Sequence, residues 1–427
     1  MRTFVTLNLR LDRELCLRLL LLAILLPVAE AQQTYTWEQL REKFRITNPT
    51  LQAGQLNIDE SRAQEITAYL RPNPDFTLSL DQFAPLIFDP VWRPLGQLLT
   101  TTSFSYLHER KHKRELRLES AQKATAISAS QQADLERTLL FNLRNAFVQT
   151  LQAKAVLTVA KENLAQYDRV IELNRERKQA GDIAQVDFDR IELQRVTFES
   201  DLQTADVNLR TAKINLLTLL NDRTPIEKFD VTGTFDFNAQ VTQLDEYRRM
   251  ALDNRPDLKA ALEAVDKAKT DYSLAVANGS TDPTFGFDIG RNPPGLTSYI
   301  GVSVSIPLRI FDRNQGEKLR TRLDIRRNER LREATEAQVF SDVDSAYATL
   351  NNTVTLLRPY KQRYLAQATR VRDTISFSYQ RGGASLLDFL QAQQDYRAIQ
   401  VSYLNLIGSY LTAASQLSLA VGREVVQ

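Results

Sequence analysis

His108, Glu109 and His112 spell H-E-x-x-H, and those two histidines are the only ones in the chain. On a helix, histidines four apart share a face and hold zinc, with the glutamate as general base of a hydrolase. Here a third ligand would have to be a carboxylate, and Arg110, Lys111, Lys113 and Arg114 surround the motif with cations that oppose Zn²⁺. The ordinary reading is a basic polar rim beside a membrane, where each cation facing anionic head groups contributes about 1 kcal/mol. No nucleophile–base pair or Gly-rich phosphate loop is visible. The single cysteine, Cys16, leaves no thiolate cluster, and Met250 is the only methionine beyond Met1, which removes a thioether copper relay. The expectation is no enzyme, no resident metal and no cofactor.

A second constellation occurs twice. Gly181 is followed six residues later by Asp187, and Gly382 by Asp388; Tyr379 stands three residues before Gly382. Each glycine ends a long helical pattern and each aspartate opens the next. Carboxylates favour helix N-termini, so Asp187 and Asp388 have a capping reading beside a gating or docking one. A Tyr379 phenol donating to Asp187 would contribute about 1.5–3 kcal/mol.

Long helices position these residues. Phe340, Val343, Tyr347, Leu350, Val354, Leu357, Lys361, Tyr364, Ala368, Val371 and Ile375 step by 3 and 4 in alternation, a heptad seam broken only by Lys361. The helix it implies has roughly 65 residues and spans about 100 Å. An earlier seam runs Leu139, Leu143, Ala146, Thr150, Ala153, Leu157, Ala160, Leu164, Tyr167, Ile171. After each glycine tip a return helix follows, from about Ala184 to Leu220 and from Leu386 to Leu419.

Four stretches instead alternate with period 2: 75–83, 98–107, 283–291 and 297–307. One face carries Phe76, Leu78, Leu80, Phe104, Tyr106, Phe285, Phe287, Ile289, Ile300, Val302, Val304 and Ile306; the other is small and polar. The halves echo one another at an offset near 200, as in Asn48-Pro49-Thr50-Leu51 with Arg255-Pro256-Asp257-Leu258. The division is a signal segment 1–31, a first repeat 32–225, a connector 226–254 holding at most one strand, and a second repeat 255–427. A period this long reads as duplication.

Composition agrees with a helix-rich exported chain. Gly and Pro are scarce, 14 each in 427 residues, and 54 Lys+Arg against 52 Asp+Glu leave a net charge of +2, which gives no case for nucleic acid. Arg10, Arg13 and Arg18 before an apolar run at 19–26, then Ala29-Glu30-Ala31, read as a secretory signal. No later run is long enough for a membrane helix. Four amphipathic strands do not close a barrel, and open edges are not tolerated in lipid, so copies must pool strands.

With these features the chain resembles the outer-membrane efflux proteins, the TolC-like channels, and within them the CzcC-like heavy-metal branch. The resemblance covers nearly the whole mature chain. It implies a mainly α fold with a membrane β-barrel contribution: long antiparallel coiled-coil helices plus four β-strands per protomer. It further implies a homotrimer whose twelve-stranded barrel sits in outer-membrane lipid above an α-helical periplasmic tunnel. The partners it implies are a periplasmic adaptor (membrane fusion) protein and an inner-membrane efflux transporter, with metal cations or drugs as cargo. It places Gly181, Asp187, Tyr379, Gly382 and Asp388 at the periplasmic tip. Ala384 stands where some members carry an arginine, and Gln391 where they carry a second aspartate, so their ion-pair lock does not carry over. The rival is a periplasmic coiled-coil adaptor or scaffold with no pore, which leaves the four strands unexplained.

Overall fold

The structure, a computed structural model, describes residues 33–82, 98–238, 242–291 and 297–425. The signal segment with Cys16, and the Pro-rich loop 84–96, lie outside the described residues.

In the first half the order is β1 (Gln33–Tyr35), α1 (Trp37–Thr47), α2 (Pro49–Tyr69), β2 (Asp75–Asp81), β3 (Leu99–Leu107), α3 (Lys113–Ala180), α4 (Gln185–Leu219) and β4 (Phe229–Val231). The second half runs α5 (Leu244–Asn254), α6 (Pro256–Asn278), β5 (Thr284–Arg291), β6 (Tyr299–Ser305), α7 (Gln315–Pro359), a π-helical turn (Tyr360–Tyr364), α8 (Leu365–Gln380) and α9 (Leu386–Val421).

Local chemistry sets the helix ends. Thr36 starts α1 with a capping box through Gln39. The Asn48 side chain accepts from the Leu51 N–H at 3.1 Å, with Pro49 at the first helical position of α2. Gly181 and Gly422 end α3 and α9 in the left-handed conformation.

The heptad seams become two packed hairpins. Along α3, Leu143, Leu157, Tyr167 and Ile171 are buried, and on its return helix α4 Phe188, Ile191, Phe198 and Leu216 are buried too. Val343, Leu350 and Leu357 of α7 form one core with Ile407, Tyr410 and Leu417 of α9. Each such side chain contributes about 1.5–3 kcal/mol by leaving water.

The second seam slips where Pro359 meets the π-helical turn. A π-turn adds a residue to the helical register; Ala368, just beyond it, is still buried on the heptad, but by the next turn the inward stripe has moved along by one. Val371, which the heptad placed on the seam, is therefore 54% exposed. Arg372 faces inward in its place, its guanidinium 4.0 Å from the Tyr396 ring centre. Lys361, the break in the apolar run, leaves the seam and pairs with Asp236 at 3.0 Å.

One strand pairing has no counterpart in the sequence reading. β1 runs parallel to β4, Gln33 opposite Phe229 and Tyr35 opposite Val231. Phe229 and Val231 join Leu40, Phe44 and Phe147 in a buried cluster. β4 falls in the connector, where the sequence allowed one strand; its partner β1, three residues long, carries too little alternation to be seen in advance.

The other four strands form one antiparallel sheet in the order β2-β3-β5-β6. They are shorter than expected: β2 stops at Asp81, β3 begins at Leu99, and β5 begins at Thr284 after Pro283. Ser305 is the last partner of β6, opposite Thr284, so Ile306 lies one residue beyond the strand to which the alternation assigned it. Pro283 offers no N–H to carry the ladder further.

Candidate functional site: an amphipathic sheet and two helix tips

The register of the sheet lines up side chains across all four strands. Phe76, Phe104, Phe287 and Val302 fall in one row. Leu78, Thr102, Ile289 and Ile300 make the next, and Tyr106, Phe285 and Val304 the row on the other side. These positions and Leu80 therefore share a face, on which the Phe76 and Phe104 rings meet at 5.1 Å. The large apolar side chains of β2, β5 and β6 are exposed there. The opposite face is built from Thr77, Ser103, Asp288 and Gly301 in one row and Asp75, Ser105, Gly286 and Ser303 in the next. Such a sheet is apolar on the side that protein does not cover and polar on the other. That is the arrangement of a barrel wall with a wet lumen, inverted relative to a soluble domain.

Below the sheet, the H-E-x-x-H segment is a turn, not a helix. Lys111 and His112 both have positive φ, and α3 begins only at Lys113. His108 sits edge-on to Phe285 on the apolar face, and His112 lies near Glu115. Glu109 is bound by Arg117 at 2.5 and 2.8 Å. The chelating geometry of a helical motif is therefore missing. The neighbouring cations serve the junction instead: Lys113 is buried against Asp282 at 2.5 Å, and the Arg110 N–H donates to the same carboxylate at 2.9 Å.

At the far end the two tips share a construction. Gly181 (φ 84°) and Gly382 (φ 76°) reverse the chain. Three residues before each glycine, a side chain lies on the phenylalanine that follows the tip aspartate. Lys178 stands 5.0 Å from the Phe188 ring, and Tyr379 stacks on Phe389 at 4.8 Å. Tyr379 also ties the tips to one another. Its hydroxyl donates to Asn174 Oδ1 at 3.3 Å, and Arg177 of the first tip lies 5.2 Å from its ring. Burial raises the phenol above its ordinary pKa; the Asp187 charge adds to the rise and Arg177 opposes it.

The expected Tyr379–Asp187 bond is replaced by the bond to Asn174. Asp187 lies on the exposed first turn of α4, 3.8 Å from Arg190. Asp388 closes a capping box: it accepts from the Ser385 N–H at 3.2 Å and hydroxyl at 2.7 Å, while the Asp388 N–H donates to Ser385 Oγ at 3.1 Å. The two aspartates are thus not equivalent, because Ala184 stands where Ser385 stands and has no side chain to cap with. Sequence reasoning passed over Asn174, although continuing the first seam three residues past Ile171 lands on it. A buried asparagine on a heptad seam is a signal in its own right.

Comparison with known proteins points the same way. Residues 248–423 match the family model described as "Outer membrane efflux protein". The cobalt-zinc-cadmium resistance protein CzcC of Cupriavidus metallidurans is 21% identical over 382 residues, covering 88% of this chain and 87% of that protein. The pyoverdine export outer membrane protein OpmQ of Pseudomonas aeruginosa is 24% identical over 322 residues, 72% of this chain and 66% of its own length. Among solved structures, CusC superposes with a TM-score of 0.76 at 17% identity, covering 91% of this chain and 92% of its own. The exposed amphipathic sheet, the paired glycine tips and these likenesses together give the chain the TolC-like fold, and its second half, residues 248–423, matches the outer membrane efflux protein family.

Proposed function

We propose that three copies of this chain pool their sheets into one barrel in the outer membrane, continued on the periplasmic side by a tunnel of their long helices. The assembly is a passive exit duct. An inner-membrane transporter supplies the energy, and a periplasmic adaptor couples it to the tip. The observation that carries this reading is the four-stranded sheet. It turns Phe76, Phe104, Phe287 and Val302 outward in one row and ends on the unpaired edges of β2 and β6. No single copy satisfies those edges in lipid, and a closed ring of copies does. Strand directions alternate across the sheet, so β6 of one copy meets β2 of the next antiparallel, as up-and-down closure requires.

At the tip, Tyr379, Asn174 and Arg177 hold the second hairpin against the first, and Asp187 and Asp388 stand where an adaptor would reach them. An adaptor that binds the separated tips more tightly than the joined ones shifts the tunnel toward open. Relatives named for cobalt-zinc-cadmium resistance and for pyoverdine export leave two cargo classes, divalent cations and small organic molecules. The repeated order of elements favours duplication of one ancestral half.

The test is reconstitution of the detergent-purified protein into planar bilayers. A duct gives stepwise conductance and a heat-modifiable oligomer in the outer-membrane fraction. A water-soluble monomer without conductance favours the poreless coiled-coil adaptor. Transport of radiolabelled Zn²⁺ against a dye substrate in cells lacking the gene then separates the cargo classes.

A further inference from the structure

One side of the long helices carries an added layer. On α3, Phe147 lies in the buried cluster with Phe229 and Val231 of β4. On α4, Lys213 donates to the Phe229 carbonyl at 2.7 Å. On α9, the Tyr410 hydroxyl donates to the Asn238 carbonyl, and its ring stands edge-on to Phe237 with centres 5.1 Å apart. The layer of α1, β1, β4 and the connector thus covers the same side of all three helices. In a duct that conducts, such a layer has room only outside, so the opposite side faces the lumen.

Val156, Thr204 and Val401 each stand nine residues from one of those anchors, Phe147, Lys213 and Tyr410 in turn. Nine residues make two and a half turns of α-helix, which puts all three half a turn away, on the lumen side. They line one recess of about 660 Å³ between α3, α4 and α9. Small-molecule sites have volumes of about 300–1,000 Å³. Two amide–amide hydrogen bonds tie its walls together: Gln152 Nε2 donates to Asn405 Oδ1 at 2.8 Å, and Asn163 Nδ2 to Gln400 Oε1 at 3.2 Å. Gly408 leaves room for the Gln152 amide, which an added Cβ would strike.

The lining selects a kind of guest. Its floor holds the buried Ala160, Ala205 and Ala212, and its rim the exposed amides of Gln149, Asn208 and Asn215. Among the described residues that line it, Asp201 is the only carboxylate and Arg397 the only cation, and they pair with each other at 3.0 Å. The recess is therefore neutral as a whole and rich in hydrogen-bonding groups. Hard divalent cations take several oxygen ligands with carboxylates among them, and softer ones take imidazole or thiolate. Here the one carboxylate is already held by a guanidinium. An uncharged or zwitterionic organic molecule fits better, its apolar part on the alanines and its polar groups on the rim.

We propose that this recess is a cargo-contact site on the lumen wall, one per copy, which takes uncharged or zwitterionic organic molecules rich in amide or hydroxyl groups in preference to divalent cations. The proposal rests on the duct reading above and chooses between its two cargo classes. The rim amides stay open to water, so a guest is held briefly and released, as conduction requires.

Saturation-transfer NMR on the detergent-purified oligomer tests it, with the uncharged dipeptide N-acetylalanylglutaminamide as probe. The same preparation is reconstituted into planar bilayers. The expected result is a saturable dipeptide signal that an equal concentration of ZnCl₂ does not displace. Thr204→Trp and Asn208→Trp fill the recess from exposed positions and should abolish the signal. Asn208→Ala, which removes only a rim amide, should weaken binding several-fold. Thr158→Trp, on the outer side of α3 three turns from Phe147, should leave it unchanged. If the oligomer conducts but the dipeptide signal is absent, or survives both recess-filling tryptophans, the site is wrong. Displacement of the dipeptide by ZnCl₂ overturns the ligand class. An oligomer that does not conduct overturns the duct reading, and the lumen site falls with it.

Discussion

The Tyr379 hydroxyl donates to Asn174 Oδ1 at 3.3 Å, linking the last turn of α8 to the penultimate turn of α3, a helix far away in sequence. Both groups are buried, so the bond joins the tips where water does not compete. Tyr379→Phe removes one such bond at a cost of about 0.5–1.5 kcal/mol and keeps the ring stacked on Phe389. Tyr379→Ala loses the stack as well. The expected order of channel opening in planar bilayers is Tyr379→Ala above Tyr379→Phe above the parent, with Asp187→Asn close to the parent. Asp187→Asn opening the channel as much as Tyr379→Phe would place the latch on the carboxylate after all.

The tip glycines make a sharper prediction. Gly181 and Gly382 have φ of 84° and 76°, and nothing lies within 4 Å of an added Cβ at either. The penalty for alanine there is conformational, about 1–2 kcal/mol. Gly383 has no such φ, and its added Cβ would meet only the Ser378 carbonyl oxygen at 3.6 Å and its Cβ at 4.0 Å, ordinary contacts. Gly382→Ala is expected to speed proteolytic nicking at the tip, while Gly383→Ala leaves the cleavage rate near the parent's. Equal rates for the two would mean that the first glycine carries no conformational duty.

How far the sequence reaches is visible on α8. Heptad counting placed the seam correctly down to Leu357 because burial and period agree over an uninterrupted α-helix. Beyond the π-helical turn after Pro359 it is right only in part: Ala368 is still buried on the heptad, while Val371 is exposed and Arg372 lies inward, and apolar periodicity does not encode the inserted residue. Strand faces were legible for a related reason: period 2 survives any change of register that keeps the parity. The tip contacts were only half legible. Local spacing marks Gly382 and Asp388, but Asn174 meets Tyr379 through packing between hairpins.

The same slip yields a paired test on stability. Val371→Ser changes an exposed side chain and is expected to stay within about 0.5 kcal/mol of the parent. Arg372→Ala removes the guanidinium that lies 4.0 Å from the Tyr396 ring centre and is expected to cost about 1 kcal/mol or more. Thermal melts of the detergent-solubilised oligomer give both values. The reverse order would put the seam back on the heptad.

Acid provides the last test, through the ion pair that fastens α1 to the end of the first hairpin. Asp222 accepts from Lys43 and from both the N–H and hydroxyl of Thr224, the latter at 2.9 and 2.7 Å. Burial alone would raise its pKa, but the Lys43 and Thr224 hydrogen bonds outweigh burial and take it down to about 2. A carboxylate depressed in the folded state stabilises fully above its unfolded pKa of about 4, and loses that contribution as pH falls toward the folded value. Asp222→Asn is therefore expected to lower the melting temperature at pH 7, and the gap should narrow between pH 4 and about 2 as the parent's carboxylate protonates. Lys43→Met removes the same partner and should show the same narrowing. A gap that stays constant across this range would mean that the aspartate acts through its hydrogen-bonded shape, which asparagine disturbs, and not through its charge.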